Sequence, residues 1–247
     1  METEIEIKTA DGTADGILFQ PDGRGTFPGV IHLTDIGGIR QSHRDMAQRL
    51  SSQGYAVLLP NVFYRTGKPP MFDSPFKMGE KKSMKRLAEL SGPLTPEAMA
   101  RDASPYVDFL SSRESVSRGP LGVVGYCFTG AMALRIAAAR PDRIAAAASF
   151  HGGSLYTDAP TSPHLVLPKV KARLYFGHAF EDRSMPKEPI EKLNRALEAW
   201  GGEYESEVYE GARHGWTVPQ SDNSAYNQPQ AERAFLKLSA LFAETLK

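Results

Sequence analysis

The segment VVGYCFTG at positions 123–130 constrains the fold of this 247-residue chain more than any other segment does. An apolar run leads into a glycine, Cys127 follows, and a small residue and a second glycine open an alanine-rich helix. A strand-to-helix turn this sharp needs small neighbours, and it leaves the central side chain exposed at the top of a sheet. The helix N-terminus behind that side chain favours a negative charge, and therefore a thiolate. The segment predicts a nucleophile elbow with cysteine in the place where serine is common.

Cys127 is the only cysteine of the chain, and a lone cysteine is most often a small buried hydrophobic residue. The flanking glycines, the preceding apolar run at 121–124 and the helix that follows favour the elbow instead. One residue departs from the usual elbow, because Thr129 stands where a glycine is commonest. With this reading, the chain is expected to be an α/β-hydrolase that works through a thiol.

Composition bounds the class of protein. A chain of 247 residues fits one domain, 1–247, and is long enough to bury a substantial core. Lysine plus arginine equals aspartate plus glutamate, 29 each, so no net field favours nucleic acid or an anionic membrane. A single cysteine cannot form an internal disulfide, which indicates a reducing compartment. Residues 1–6 lack the features of a signal peptide, and the apolar stretch 144–150 is too short to span a bilayer. We therefore expect a cytoplasmic soluble protein.

Hydrophobic periodicity divides the chain into strands that alternate with helices after an opening hairpin, which predicts parallel βα units. The predicted strands are 5–8, 16–19, 29–33, 55–59, 121–126, 144–151, 172–176 and 204–210, and the predicted helices are 42–53, 95–112, 128–140, 189–200 and 230–246. Thr95 and Pro96 form a helix-start signal, and Pro105 is expected to kink or divide the helix that they begin. Residues 152–168 are predicted to be a loop.

The segment 61–92 interrupts the alternation of predicted strands and helices. It combines several prolines and glycines with the apolar residues Met71, Phe72, Phe76, Met78 and Met84. A long connection of this kind is often a lid or a binding loop, and the alternative is a loop packed on the body of the domain. Its lysines and Arg86 lie at helical spacing, which favours a solvated face over an anion site.

A catalytic thiol needs a base, and the base needs an orienting acid. His214 lies just past the last predicted strand, and Asp182 lies just past the strand before it. The chain order of Cys127, acid and histidine is the order of the α/β-hydrolases. Each residue alone could be an ordinary loop residue, and Glu181 competes with Asp182 as the acid. Three such residues after three strands, in this order, predict a Cys-His-Asp triad.

At this point the sequence resembles the dienelactone hydrolase family of α/β-hydrolases over nearly its whole length. The matching segments are Thr34–Gly38, Gly54–Ala56, Gly125–Cys127, Asp182 with the later Pro186, and Tyr209–His214. The resemblance implies a mostly parallel eight-stranded sheet with helices on both faces. It also implies hydrolysis of cyclic enol esters or related small esters, with no metal or organic cofactor. In this reading Cys127 is the nucleophile, His214 the base and Asp182 the orienting acid.

The resemblance extends to the groups around the nucleophile. The oxyanion hole is expected from the backbone N–H groups of Phe128 and Ile36. The family has a glutamate in the loop before the second donor, where it holds the resting thiol. This sequence has Asp35 there, which is one methylene shorter. Asp35 could serve that auxiliary role, or it could cap the helix near Ser42 or bind Arg40.

The predicted pocket departs from the family pattern. The dienelactone enzymes hold the substrate carboxylate with arginines, one of them four residues past the catalytic histidine, where this chain has Val218. The candidates for substrate contact here are Arg86, Arg183, His151 and Trp216. His151 could instead be a packed residue at the end of a strand, and Trp216 could be a core residue.

The sequence thus predicts a hydrolase of small esters or enol lactones that forms an acyl-enzyme. Two other functions stay open: a thiol peptidase or acyl transferase, and a non-catalytic scaffold of the same fold that binds a small ligand. The expected partner is a small-molecule substrate, without nucleic acid, membrane or cofactor, and the expected assembly is a monomer or homodimer.

Overall fold

The computed structural model describes residues 1–73, 76–77, 79–219 and 224–247. Within them, one eight-stranded sheet has the order β1-β2-β4-β3-β5-β6-β7-β8. The strands are β1 Glu2–Thr9, β2 Gly12–Phe19, β3 Gly29–His32, β4 Ala56–Pro60, β5 Leu121–Tyr126, β6 Ile144–Phe150, β7 Arg173–Glu181 and β8 Tyr204–Arg213. The α-helices are α1 Gln41–Ser51, α2 Lys81–Ser91, α3 Pro96–Ser111, α4 Thr129–Ala139, α5 Lys187–Trp200 and α6 Gln228–Leu246.

The sheet is antiparallel at one side and parallel through the rest. β1 pairs with β2, and β2 with β4, in antiparallel register. Every further pair, from β4–β3 to β7–β8, is parallel. The carboxyl ends of β3 to β8 therefore meet at one edge, and the strand order reverses between β3 and β5. Open α/β sheets bind their ligands at such a switch point, and the predicted α/β-hydrolase architecture is confirmed.

Helices cover both faces of the sheet, because the strands of the parallel region are apolar on both sides. One core contains the side chains that lie under α1 and α6, among them Tyr55, Phe150 and Trp216. The other core lies under α3, α4 and α5, with Tyr106, Leu134 and Leu193 among its members. No helix within the described ranges is both long enough and apolar enough to cross a membrane.

The helix ends follow the predicted signals, with one correction. The hydroxyl of Thr95 accepts a hydrogen bond from the amide of Ala98, and Pro96 is the first residue of α3. Pro105 does not divide this helix, which runs unbroken to Ser111. A proline removes the hydrogen bond to the carbonyl four residues earlier, here that of Arg101. Arg101 is exposed, so water can replace the lost donor.

The described residues of the connection 61–92 contain α2, a helix that the sequence does not predict, and several of their apolar side chains pack in the core. Met71 is 2% exposed, and the rings of Phe72 and Phe76 contact each other edge-on at 5.4 Å between centroids. Met84 is exposed, and Met78 lies outside the described residues. A lid role for this segment stays a prediction. The expected loop 152–168 contains the start of a short 3₁₀ helix, Pro163–Lys169.

Candidate active site

The turn at Cys127 has the geometry of a nucleophile elbow. Cys127 has a φ of 55°, a conformation that a residue other than glycine rarely adopts and that stores strain at functional turns. A Cβ on Gly125 would lie 2.2 Å from the carbonyl oxygen of Thr129, and one on Gly130 would lie 2.3 Å from Oγ of Ser149. Both positions therefore require glycine. The turn presents the half-buried thiol at the switch point of the sheet.

Thr129, the residue that departs from the usual elbow, closes this turn. Its hydroxyl accepts a hydrogen bond from the amide of Tyr126 at 2.9 Å and donates one to the carbonyl of the same residue at 3.0 Å. The side chain is completely buried. Glycine at this position would allow the sharp turn through its conformational freedom. Thr129 instead stabilises the turn with two hydrogen bonds to Tyr126, the last residue of β5.

The structure brings the three predicted triad side chains together. Nε2 of His214 lies 3.0 Å from Sγ of Cys127. Nδ1 of the same ring lies 2.7 Å from Oδ2 of Asp182. The side chain of Glu181 is exposed at the end of β7, and its backbone carbonyl accepts the amide of His214. The acid in contact with the imidazole is therefore Asp182, and not Glu181.

Ser184 belongs to the same cluster and was missed by the sequence reasoning. Its amide donates to Oδ1 of Asp182 at 2.8 Å and its hydroxyl donates to the same oxygen at 2.6 Å. The hydroxyl also lies 3.3 Å from Nδ1 of His214. Aspartate followed two residues later by serine is a common turn signal, and that pattern could have found the residue. Because Ser184 binds Oδ1 of Asp182, the other carboxylate oxygen, Oδ2, is the one that contacts Nδ1 of His214.

These contacts set the charges of the acid and the base. Burial alone would disfavour the charge on both groups. The hydrogen bonds of Asp182 with His214 and Ser184 outweigh burial and lower the pKa of that carboxyl. Burial likewise opposes the imidazolium of His214, but hydrogen bonds to Asp182 and Cys127 outweigh it and raise the pKa to about 10. Asp182 thus faces Nδ1 of the imidazole and the sulfur faces Nε2.

The backbone amides of Ile36 and Phe128 have no protein acceptor among the described residues. Phe128 follows the nucleophile, and Ile36 lies in the loop after β3, the strand next to β5. Both residues are half-buried. Unpaired N–H groups are rare away from solvent, and the role of this pair as an oxyanion hole stays a prediction.

The carboxylate of Asp35 is bound within its own loop. It accepts two hydrogen bonds from Arg40, at 2.6 and 2.8 Å, and one from the amide of Gly37 at 2.8 Å. The contact described for the thiol of Cys127 is that with His214. Of the roles weighed for Asp35, the structure shows the one in which it binds Arg40.

Two of the predicted substrate contacts are buried. Trp216 is 0% exposed and His151 is 1% exposed, and both lie in the layer beneath the triad. The ring of His151 meets the rings of His214 and Trp216 edge-on at 5.1 and 5.2 Å, and its Nε2 bonds Oγ1 of Thr217 at 2.8 Å. The expected pocket wall at Trp216 is therefore wrong, because the chain turns back under β8 and packs the indole in the core.

The two predicted arginines differ in their surroundings. Arg86 donates from Nε to the carbonyl of Met71 at 2.9 Å and pairs with Glu89 at 3.2 Å. It thus fastens α2 to the connection before it. Arg183 is exposed next to Asp182. Val218, where the family places an arginine, is buried. Among the described residues no cluster of histidine, cysteine, aspartate and glutamate could hold a metal ion.

Known proteins similar to this chain agree with the architecture. A sequence model of the dienelactone hydrolase family matches residues 14–246. A Rhodococcus opacus carboxymethylenebutenolidase is 27% identical over 201 residues, which cover 79% of this chain and 74% of that protein. A Synechocystis sp. protein assigned as a carboxymethylenebutenolidase is 26% identical over 248 residues, 99% of this chain and 97% of its own.

The solved structures add evidence on the fold alone, because their sequence identity is low. A Klebsiella pneumoniae protein assigned as a dienelactone hydrolase superposes with a TM-score of 0.86, at 21% identity and 98% coverage of both chains. The dienelactone hydrolase-like promiscuous phosphotriesterase P91, from metagenomic libraries, superposes with a TM-score of 0.80 at 20% identity, over 100% of this chain and 99% of its own. Since the family model spans nearly the whole chain, this protein is a carboxylic ester hydrolase and belongs to the dienelactone hydrolase family.

Proposed function

We propose that this chain hydrolyses small esters or enol lactones through a thioester formed on Cys127. The observation that supports this most is the continuous hydrogen-bonded row from Asp182 through His214 to Sγ of Cys127, with distances of 2.7 and 3.0 Å. A nucleophile within reach of a base that is itself oriented by a third group is the signature of covalent catalysis. No further group has to move into place for the first step.

Acylation begins with the sulfur as a thiolate, next to the imidazolium of His214. The sulfur attacks the acyl carbon and forms the S–C bond, while the carbonyl oxygen takes up negative charge between the amides of Ile36 and Phe128. The bond to the leaving oxygen then breaks, and Nε2 of His214 gives its proton to that oxygen. The alcohol of an ester leaves, whereas the enol of an opened lactone stays attached to the acyl group, and the enzyme is left as a thioester with neutral His214.

Deacylation uses the same histidine as a base. The charge and the hydrogen bond of Cys127 are two of the causes that raise the pKa of His214. Both are lost once the sulfur is acylated, so the pKa of His214 falls in the intermediate. The neutral ring then takes a proton from water, the hydroxide oxygen attacks the thioester, and the S–C bond breaks to restore the thiolate and the imidazolium.

We further propose that the substrate is neutral or weakly polar rather than a dienelactone carboxylate. Val218 is buried and provides no charge, and Arg86 is engaged by Met71 and Glu89. A missing charge-assisted hydrogen bond is worth roughly 1.5–3 kcal/mol, or about ten- to a hundred-fold in kcat/KM. The exposed Arg183 is the remaining predicted cation. A tenfold preference for cis-dienelactone over a neutral enol lactone of similar size would overturn this substrate class.

The other functions have weaker support. A non-catalytic scaffold has no need of the strained cysteine at φ 55° or of the fully oriented imidazole. A peptidase needs an open cleft for an extended chain, and the connection 61–92 packs Met71 close to the loop after β3. Thiolate catalysis also suits esters with good leaving groups better than it suits amides.

The experiment that tests the proposed function is a burst assay. With p-nitrophenyl acetate in excess, wild-type enzyme is expected to release one equivalent of p-nitrophenol rapidly before the slower steady state. Cys127→Ala is expected to show neither phase. Steady release by the alanine variant at the wild-type rate, in a preparation free of host esterase, would contradict the cysteine mechanism.

A further inference from the structure

Two histidines that the mechanism does not use lie behind the loop after β3. His32 is the last residue of β3, and His43 lies in the first turn of α1; both are 0% exposed. Nε2 of His32 and Nδ1 of His43 are 3.0 Å apart. The amide of Asp35, one residue before the proposed oxyanion donor Ile36, donates to Nε2 of His43 at 3.2 Å. A hydrogen-bonded row thus runs from the loop backbone into the core.

The proton positions in this row follow from the donors. Oδ1 of Asp35 also lies 3.5 Å from Nε2 of His43, but the amide of Asp35 is nearer, at 3.2 Å, and a backbone N–H can only donate. With that amide as the donor, Nε2 of His43 is the acceptor and the ring proton is on Nδ1. That proton is then shared with Nε2 of His32, whose own proton is on Nδ1. Both rings must be neutral in this arrangement, and burial lowers the pKa of each. His43 therefore presents a lone pair to the loop at neutral pH.

The rest of the loop is restrained as well. The carboxylate of Asp35 binds Arg40 and the amide of Gly37. The rings of His32 and His43 also contact the ring of Tyr126, at 5.1 and 5.6 Å between centroids. Tyr126 directly precedes the nucleophile, so the two histidines connect the loop to the elbow. The carbonyl oxygen of Asp35, which shares a rigid peptide plane with the N–H of Ile36, accepts the amide of Gly38 at 3.1 Å. With the amide of Asp35 also held, by His43, the two rotatable bonds of Asp35 are restrained on both sides, which restricts the direction of the Ile36 N–H.

We infer that His43 is a positioning residue for the oxyanion hole, because its Nε2 fixes the backbone of Asp35 and thereby the direction of the Ile36 N–H. The inference deepens the proposed function and rests on it. His43 touches neither the substrate nor the thiol. It acts on the transition state through the loop, since the oxyanion exists only there and at the tetrahedral intermediate.

A core role and a positioning role can be separated by two reactions of the same sulfur. Acylation by p-nitrophenyl acetate passes through a tetrahedral oxyanion, whereas alkylation by iodoacetamide occurs at a saturated carbon and needs no oxyanion hole. His43→Leu removes the acceptor. His43→Gln places an amide oxygen near the position of Nε2, and His43→Asn is too short to reach Asp35. His178→Leu is the matched control, because His178 is a buried histidine on β7 that bonds Ser206 at 3.3 Å.

We expect His43→Leu and His43→Asn to lower the acylation rate about 10- to 100-fold, less than the 10²–10³ lost when an oxyanion donor is removed outright. The loss should appear in kcat with little change in KM, and the alkylation rate should stay within about twofold of wild type. His43→Gln should recover most of the acylation rate. His178→Leu should leave both reactions near wild type, whatever its effect on thermal stability. If His43→Leu does not fold, the comparison of the glutamine and asparagine variants carries the same test.

Three results would overturn the inference: acylation and alkylation falling together in the His43 variants, acylation unchanged in them, or equal losses in His43→Gln and His43→Asn. Failure of the proposed function looks different. In that case Cys127→Ala would keep esterase activity, and the wild-type thiol would show no acylation at all.

Discussion

The two sides of Cys127 are built in different ways. On one side, side chains in direct contact complete the triad: Asp182 holds His214, and His214 meets the sulfur. On the other side, the groups that we propose to hold the oxyanion are backbone amides, and the side chains that restrain their loop, Arg40 and His43, contact Asp35. Under the proposed mechanism, the triad side therefore determines whether a nucleophile exists, and the oxyanion side determines how well its transition state is stabilised.

The largest effect is expected at the nucleophile, which both sides need. Cys127→Ala should lower kcat for p-nitrophenyl acetate by on the order of 10⁴-fold or more, because it removes the side chain that contacts Nε2 of the proposed base. Cys127→Ser should retain a little activity, since the base stays in place. Circular dichroism should show an unchanged fold, and a variant with wild-type turnover would refute the assignment.

The next effect is expected at the base and its acid. His214→Ala should be nearly as damaging as the loss of the nucleophile, and Asp182→Asn should be severe but milder, up to about 10⁴-fold, because it misorients the imidazole without removing it. The losses should be far from additive in the double variants. Glu181→Gln is the control, since that side chain is exposed. If Glu181→Gln cripples the enzyme and Asp182→Asn spares it, the acid is wrongly assigned.

A smaller effect is expected at Ser184, which supports the acid. Ser184→Ala removes the hydroxyl donor to Oδ1 of Asp182 but leaves the amide donor. We expect kcat to fall by about tenfold, at the lower end of the roughly 1.5–3 kcal/mol of one hydrogen bond to a charged group, because the amide donor remains. Alkylation of Cys127 should slow as well, because the imidazolium loses support. A variant in which acylation slows and alkylation does not would place Ser184 on the oxyanion side of the comparison.

The pKa of His214, and the stability linked to it, should differ between the resting enzyme and a variant without the thiol. Since the pKa of His214 is raised to about 10, its bound proton stabilises the folded state fully below the unfolded value of about 6.5, and this stability is lost as pH rises toward 10. Cys127→Ala removes two causes of the shift and should lower the pKa of His214. Histidine-selective NMR titration would measure both values. An identical pKa in wild type and variant would show that the sulfur does not interact with the ring.

The smallest effect is expected at Asp35. Its carboxylate binds Arg40 rather than the thiol, so Asp35→Asn should leave the rate of Cys127 alkylation within about twofold between pH 6 and 9. Acylation should slow severalfold, because the loop loses a charge-assisted hydrogen bond. If alkylation changes markedly and acylation does not, Asp35 holds the resting thiol as the related family's glutamate does.

The sequence predicts the triad side of the site better than the oxyanion side. Cys127, Asp182 and His214 each come directly after a strand. Predicting the strands from their hydrophobic pattern therefore locates these residues along the chain, and the parallel sheet brings them together. His43, which we propose as a positioning residue for the oxyanion hole, has no such signature. His43 lies in a helix at an ordinary core position, and its partner is a backbone amide, which no side-chain pattern reveals. The exposure of Trp216 and His151 likewise depends on how the chain packs after β8, which is a tertiary property.

The fold shows the same contrast between local and distant causes. Thr95 and Pro96 begin α3 as predicted, because capping is local. The unbroken course of α3 past Pro105 depends on which side of the helix faces water. The helix α2 was missed because prolines and glycines surround it, and its position depends on contacts such as that of Arg86 with Met71.

The most direct test of the account is to trap the intermediate. Wild-type enzyme turning over p-nitrophenyl acetate is quenched rapidly in acid, and its mass is measured intact and after digestion. We expect the mass to increase by that of one acetyl group, and digestion to locate this group on Cys127. The acetyl group should be labile to hydroxylamine and absent in Cys127→Ala. An acetyl group on another residue, or release of p-nitrophenol in a burst without any acylated Cys127, would contradict it.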